Sequence, residues 1–373
     1  MSSNYTLFEE GLRRFGPTAT DAFDFTPFFE NTFLSIAPSA LLLLTLPFRL
    51  FSLRKEPKKV SRSLLQENKL ILLSILTAFQ SAILILYATN STVRTGTSIA
   101  AASLLFADAL GLCLLSQAEH SRSVRPSTII NTYLFFTLIF DIARTRTLWL
   151  SHAPLPIAVT FTVTTILKGA ATIAEAVEKR NILLPPYQRA SPESTSGIYS
   201  RSLFWWLNGL MRTGYDRVVK EDDLFPIDDA MKSFTLAARA QKSWDAAPRT
   251  RSHALFWSTL KTNQKALLLC IFPRLCLIGF RYAQPLLLAR TVNFVGSQDR
   301  DSIGWGLTGA FGVVFVGMAV ASGSYYHMTY RFVTAVRGGL VGIVYRKTVD
   351  LSVTALDESA AITLMSNDAG ESP

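Results

Sequence analysis

Arg274 and Arg281 lie seven residues apart inside the apolar run Ala266–Phe294, so they share one face if that run is a helix. An arginine at membrane depth is costly unless it faces a bundle interior or an aqueous cavity. Two such guanidiniums, with Tyr282 and Gln284 nearby, have the chemistry to line an anion-accepting cavity. The competing reading has Arg274 snorkelling to the nearer interface, because it lies in the inner third of the run. Pro285 removes a backbone donor from the same run and is expected to kink it.

The remaining polar residues in apolar surroundings point to structure. Lys168 has no charged neighbour within one turn, Glu175 at i+7 being the nearest on its face, so it is expected to pack or snorkel. Asp108 is expected to hydrogen-bond across a helix bundle. Asp141 and Arg144, spaced i,i+3, are expected to pair on one helix face, with Arg146 as an interfacial anchor. His120, His152, His253 and His327 are scattered and expected to pair with nothing, and Cys113, Cys270 and Cys276 show no metal-ligand spacing. With no nucleophile elbow or paired carboxylates either, the expectation is no catalytic, cofactor-binding or metal site.

The elements that must hold these residues are apolar runs about 20 residues long, enough to cross a bilayer as helices. Seven occur: Thr32–Ser52, Leu70–Thr89, Ser98–Gln117, Thr128–Trp149, Leu155–Val177, Ala266–Phe294 and Ile303–Tyr325. Lys and Arg cluster after the first span (Arg54, Lys55, Lys58, Lys59, Arg62, Lys69), the third (Arg122, Arg125), the fifth (Lys179, Arg180) and the seventh (Arg331, Arg337, Arg346, Lys347). Basic loops face the cytoplasm, which predicts an exterior amino terminus and a cytoplasmic carboxyl terminus. Both Asn-x-Ser/Thr acceptors, Asn4 and Asn90, fall on the predicted exterior and are candidate glycosylation sites. Residues 1–31 show no cleavable signal pattern, so the first span is expected to act as its own insertion signal.

The chain is 49% hydrophobic with a net charge of +10, a balance suited to a bilayer with anionic headgroups at its cytoplasmic face. Without a basic stripe interleaved with aromatics, nucleic-acid binding is set aside. Between the fifth and sixth spans, Ser200–Met211 reads as a short helix dense in aromatics, with Phe204, Trp205 and Trp206 as interfacial anchors. The Gly214-Tyr215 pair and an acidic stretch at Glu221-Asp222-Asp223 follow. Asp228 and Asp229 are expected to cap a helix from Ala230 to Trp244. The piece His253–Lys261 reads as an elbow along the inner leaflet. Past the seventh span, Thr329–Leu351 keeps a helical apolar face, with Gly338-Gly339 as its weak spot.

Three stretches together resemble the amino-terminal part of ABC exporters of the multidrug-resistance-associated subfamily, fungal type. Ser200–Tyr215 with Glu221–Leu224 looks like that family's cytoplasmic lasso. Arg337–Leu340 through Val344–Lys347 looks like its long intracellular helix extension, and Leu364-Met365-Ser366-Asn367-Asp368 resembles its first coupling helix. The resemblance implies an all-α membrane protein. It would have a five-helix accessory transmembrane bundle over 1–177, a cytoplasmic lasso linker and elbow over 178–264, and an incomplete type-1 transmembrane domain with a coupling segment over 265–373. It further implies export of amphipathic organic anions or secondary metabolites, with the plasma membrane preferred over the vacuolar membrane. The coupling segment implies a nucleotide-binding domain as partner.

Full-length relatives use ATP and magnesium. Here neither the phosphate-cradling Gly-x-x-x-x-Gly-Lys-Ser/Thr loop nor a Leu-Ser-Gly-Gly signature occurs, so the expectation is a truncated, non-enzymatic chain that does not pump alone. Two other readings stay open: a non-transporting regulatory module that joins another membrane protein, and a seven-helix receptor. Against the receptor stand the long aromatic and acidic loop after the fifth span and the extended seventh helix.

Overall fold

The computed structural model describes residues 25–90, 93–150, 153–188, 190–248, 253–296, 301–350 and 363. It is almost entirely helical, and its described residues form two compact units, Met1–Arg212 and Thr213–Pro373.

Five long helices build the first unit: α1 (Pro27–Arg54), α2 (Leu64–Thr89), α3 (Gly96–Arg122), α4 (Thr128–Leu150) and α5 (Leu155–Ala176). Their starts follow from sequence. Thr26 caps α1 by accepting from the Phe29 N–H at 3.3 Å. Thr95 and Ser98 form a reciprocal capping box at α3. Pro156 opens α5, where its missing N–H costs nothing. One core layer packs Leu42, Leu73, Leu76, Leu112, Leu115, Ile130 and Leu134, and a second packs Ile83, Tyr87, Ala102, Ile157 and Phe161. Leu41, Leu44, Phe48, Ile71, Ile85, Ile139, Ile166 and Ile173 point outward. Apolar residues on the outside with polar ones at the centre is the arrangement lipid favours.

Among the described residues, six helices are long and apolar enough to cross a membrane, and α4 is the expected span that falls short. Its 23 residues suffice in length, but Asp141, Arg144 and Arg146 lower its apolarity. Asp141 and Arg144 are buried within the bundle, where neighbouring side chains meet their charge.

In the linker after α5, Ser200–Met211 is not one helix. A turn over Ile198–Ser202 ends at Phe204, whose φ of 55° is left-handed. A 3-10 turn (Trp205–Leu207) and α6 (Asn208–Asp216) follow. That conformation is uncommon and costly for an aromatic residue, and it breaks the helix that periodicity suggests.

The second unit contains α7 (Ser233–Asp245), α8 (Ala254–Val295) and α9 (Asp301–Asp350). At 1.5 Å per residue, α8 and α9 are roughly 63 and 75 Å long, about twice the hydrocarbon thickness. Arg274 meets Tyr325, Phe280 meets Gly317 and Phe294 meets Gly304, so the two helices run antiparallel. The expected elbow His253–Lys261 is no separate piece. From Ala254 it is continuous with the sixth span, and His253, at φ 58°, marks the start.

Gly338-Gly339 does not weaken α9, which runs through it unbroken. Both glycines, with Gly342, lie under α7. A Cβ on Gly339 would sit 3.1 Å from the Ala240 methyl, and one on Gly342 would overlap Ala237. The glycines permit close helix approach. An ion pair of 3.1 Å between Asp228 and Arg331 holds the same corner, and the Ser258 hydroxyl donates to Ser243 at 3.1 Å, tying α7 to α8. Asp228 also accepts from the Ala230 N–H, but the capped segment is a 3-10 turn (Asp229–Met231), and the helix proper starts at Ser233.

Candidate functional site

Arg274 and Arg281 are both exposed on α8, about two turns apart. Pro273 lies beside Arg274 and Pro285 four residues beyond Arg281, so the carbonyls of Leu269 and Arg281 lose their intrahelical donors. The Arg274 guanidinium lies over the Tyr325 ring of α9 at 5.0 Å from its centroid. A cation over an aromatic face keeps its charge and leaves its N–H edges available. Tyr282 is 72% exposed and Gln284 is half-buried. The four residues thus share a stretch of about three turns of α8. Only Arg274 among them has a described contact with the neighbouring helix.

The lasso residues fall in several short pieces. Trp205 is 67% and Tyr215 91% exposed, while Trp206 is half-buried. Arg217, just past α6, donates to Asp223 at 2.8 Å through one nitrogen and pairs with it through the other. This fork, with the Lys220 N–H, holds the Asp223 carboxyl below the usual carboxylate range. Asn90 caps the end of α2, donating its N–H to the Leu86 carbonyl at 3.1 Å. Asn4 and the segment Leu364–Asp368 lie outside the described residues.

The first unit holds a set of buried charges whose partners the sequence reading identified only in part. Lys168 does not snorkel. It is 3% exposed and pairs with Asp141 across the α4–α5 contact. The expected Asp141–Arg144 pair exists at 3.8 Å, but Lys168 is the nearer partner. Arg144 also donates to Ser35, to Asn31 at 2.9 Å, and stacks over Phe161 at 4.8 Å. A π-helical segment of α1, Glu30–Ile36, carries Asn31 and Ser35.

Lys69, counted above with the loop cations, is 1% exposed inside α2 and pairs with Glu175 of α5 at 3.2 Å. Ser116 donates to the same carboxylate. Asp108 behaves as expected, accepting from the Tyr133 hydroxyl at 2.6 Å across α3 and α4. Far from being unpartnered, His120 is buried with its Nε2 3.3 Å from the Ser63 hydroxyl. Just past α5, Lys179 is 2% exposed and caps the carboxyl end of α3, donating to Glu119 O at 2.9 Å. Burial lowers its pKa to about 8. One signal was available in the sequence: Lys168, Asp141, Glu175 and Lys69 balance in sign, although nothing local says which pairs with which. Among the described residues no cluster of His, Cys, Asp and Glu fits a metal ion.

Residues 10–167, the stretch that supplies this bundle, match the ABC transporter TMD0 domain. The chain carries an ABC transporter TMD0 domain. Along 95% of its length it is 41% identical to an ABC-type transporter of Gibberella zeae, covering 25% of that protein. Over 93% it is 41% identical to ABC multidrug transporter B of Aspergillus fumigatus, covering 24% of it. Over 99% it is 34% identical to the ABC transporter atnG of Emericella nidulans, again covering 24%. The chain therefore spans about a quarter of the length of these relatives. The similarity extends beyond the TMD0 bundle into the second unit, because the matched stretches cover nearly all of the chain. It is a multi-pass membrane protein with extensive bilayer contact.

Proposed function

We propose that this chain is the transmembrane portion of an ABC exporter for amphipathic organic anions or secondary metabolites, and that it does not pump by itself. The TMD0 bundle and the α8–α9 hairpin would belong to one machine, joined by the linker and α7. The proposed functional parts are the accessory bundle to residue 177, the lasso linker to 264, whose last residues are already the first turns of α8, and the core helices beyond. One observation carries the substrate class: two exposed arginines on one face of α8, the first already held by an aromatic ring of its partner helix. Arginine in a membrane segment is retained where it faces an aqueous cavity. We place the amino terminus outside and the carboxyl terminus in the cytoplasm, in the plasma membrane, with α9 reaching a nucleotide-binding domain through the segment at 364–368.

The test uses a full-length protein containing this chain, in inside-out vesicles. Arg274→Ala with Arg281→Ala should cut ATP-dependent uptake of a conjugated organic anion about ten-fold or more, since each lost charge-assisted contact is worth about 1.5–3 kcal/mol. It should spare uptake of a neutral substrate. Unchanged anion uptake ends the substrate assignment. A regulatory module would instead co-purify stoichiometrically with a separate membrane protein and leave anion uptake untouched.

A further inference from the structure

A rim of cations occupies the end of the first unit where α1 stops and α2 starts. Arg54, Lys55, Lys58 and Arg62 are all exposed there, as is Arg180 of the segment after α5. The rim is braced from three sides. Lys59 N and Val60 N donate to Ser121 O at the end of α3, at 2.9 and 3.3 Å. Val60 forms an antiparallel bridge with Leu183, flanked by Ser61 N to Ile182 O at 3.1 Å and Leu184 N to Lys59 O at 3.0 Å. Arg122 donates to Leu53 O at 2.9 Å. The turn that carries four of the cations is therefore tied both to α3 and to the stretch that carries the fifth.

The adjoining sequence carries three carboxylates, Glu56, Glu67 and Glu178, and a fourth, Glu119, is taken up by Arg49 at 2.7 Å. Lys59 answers Glu56 at 2.8 Å, leaving five cations against two carboxylates. None of the five has an ion-pair partner among the described residues. Lys55 instead rests over the exposed Phe51 ring at 4.6 Å, and Phe48, one turn earlier on α1, and Leu64, at the start of α2, are exposed as well. Exposed apolar side chains directly beneath a cation rim set the rim at the depth of lipid phosphates. Charge clusters immediately beyond a membrane helix bind anionic headgroups, at about 1 kcal/mol per cation.

We propose that this rim is a site for the phosphorylated headgroup of an inositol lipid in the adjacent leaflet. Several cations held by one braced turn suit a headgroup with more than one phosphate group, whereas a monovalent phospholipid engages only one or two at a time. The inference rests on the orientation proposed above, which puts the rim on the cytoplasmic face.

The experiment is binding of short-chain phosphatidylinositol 4-phosphate to the purified full chain in neutral detergent, followed by thermophoresis, with phosphatidylserine and phosphatidylcholine as comparison lipids. The inositol lipid should bind at least about ten-fold more tightly than either. Arg54→Gln with Lys58→Gln and Arg62→Gln should weaken it by about ten-fold or more, while Arg94→Gln, an exposed cation of a different loop, should leave it unchanged. Glu56→Gln frees Lys59 and removes a negative charge, so it should tighten binding. Should the triple variant not purify folded, Glu56→Gln with Lys58→Gln decides: opposite shifts support the site, and two null shifts overturn it. Equal binding of phosphatidylserine, or equal loss with Arg94→Gln, also overturns it. Detergent has no sidedness, so failure here is distinguishable from failure of the orientation.

Discussion

Removing Asp141 tests whether buried charge organises the TMD0 bundle. Its carboxylate meets Lys168 of α5 and, at 3.8 Å, Arg144 of its own helix. All three side chains are at least 95% buried. Asp141→Asn leaves Lys168 without a countercharge, and losing one partner of a buried pair costs about 3–5 kcal/mol. Arg144 is cushioned by Ser35, Asn31 and the Phe161 ring, so the lower end applies. Double-mutant cycles between membrane helices return less, about 0.6–1.7 kcal/mol, but those concern neutral hydrogen bonds for the most part. We expect about 3 kcal/mol for Asp141→Asn and a similar loss for Lys168→Met. The double variant should lose clearly less than the sum, because methionine nearly matches the lysine stem and no orphan charge remains at that position. At about 2–4 °C per kcal/mol for a domain of this size, each single variant should melt about 6–12 °C below the parent in detergent, read by tryptophan fluorescence. Additive losses, or single variants that melt like the parent, would refute the reasoning.

Three further outcomes are expected. Gly342→Val places a side chain where Ala237 packs; overpacking of this kind costs about 1–3 kcal/mol and should free α7 for proteolytic cleavage within 233–245, whereas Gly306→Val, where space is open, should not. Lys179, with its pKa lowered from 10.5 to about 8 in the folded chain, takes up fewer protons there than when unfolded at pH between the two values. Stability therefore rises across that window by up to about 3 kcal/mol, and Lys179→Met should remove the rise in a melting series from pH 7.5 to 10.5. Expressed in a glycosylating host, the chain should lose one glycosidase-sensitive mobility step with Asn90→Gln; a glycan acquired at an acceptor engineered between Lys55 and Lys59 would reverse the proposed orientation.

What the residues alone determined was the medium and the long helices. Hydropathy sums over a local window, so a stretch such as Leu64–Thr89 declares itself a span without reference to any other. The helical continuation of the seventh span was legible from the spacing of its apolar face, also a local pattern, and so was the bundle hydrogen bond of Asp108, because a lone carboxylic acid in an apolar run must find a donor. The tertiary structure decided the partners. Whether Lys168 snorkels or pairs depends on where α4 sits, and Lys69 looks like a loop cation until α5 brings Glu175 beside it. Gly338 and Gly339 resemble a flaw in α9 until α7 lies across them. Phe204 breaks an aromatic helix through a backbone conformation that side-chain periodicity does not encode. Local sums place a segment in lipid; pairing energy depends on distances between residues remote in the chain, and only packing sets those.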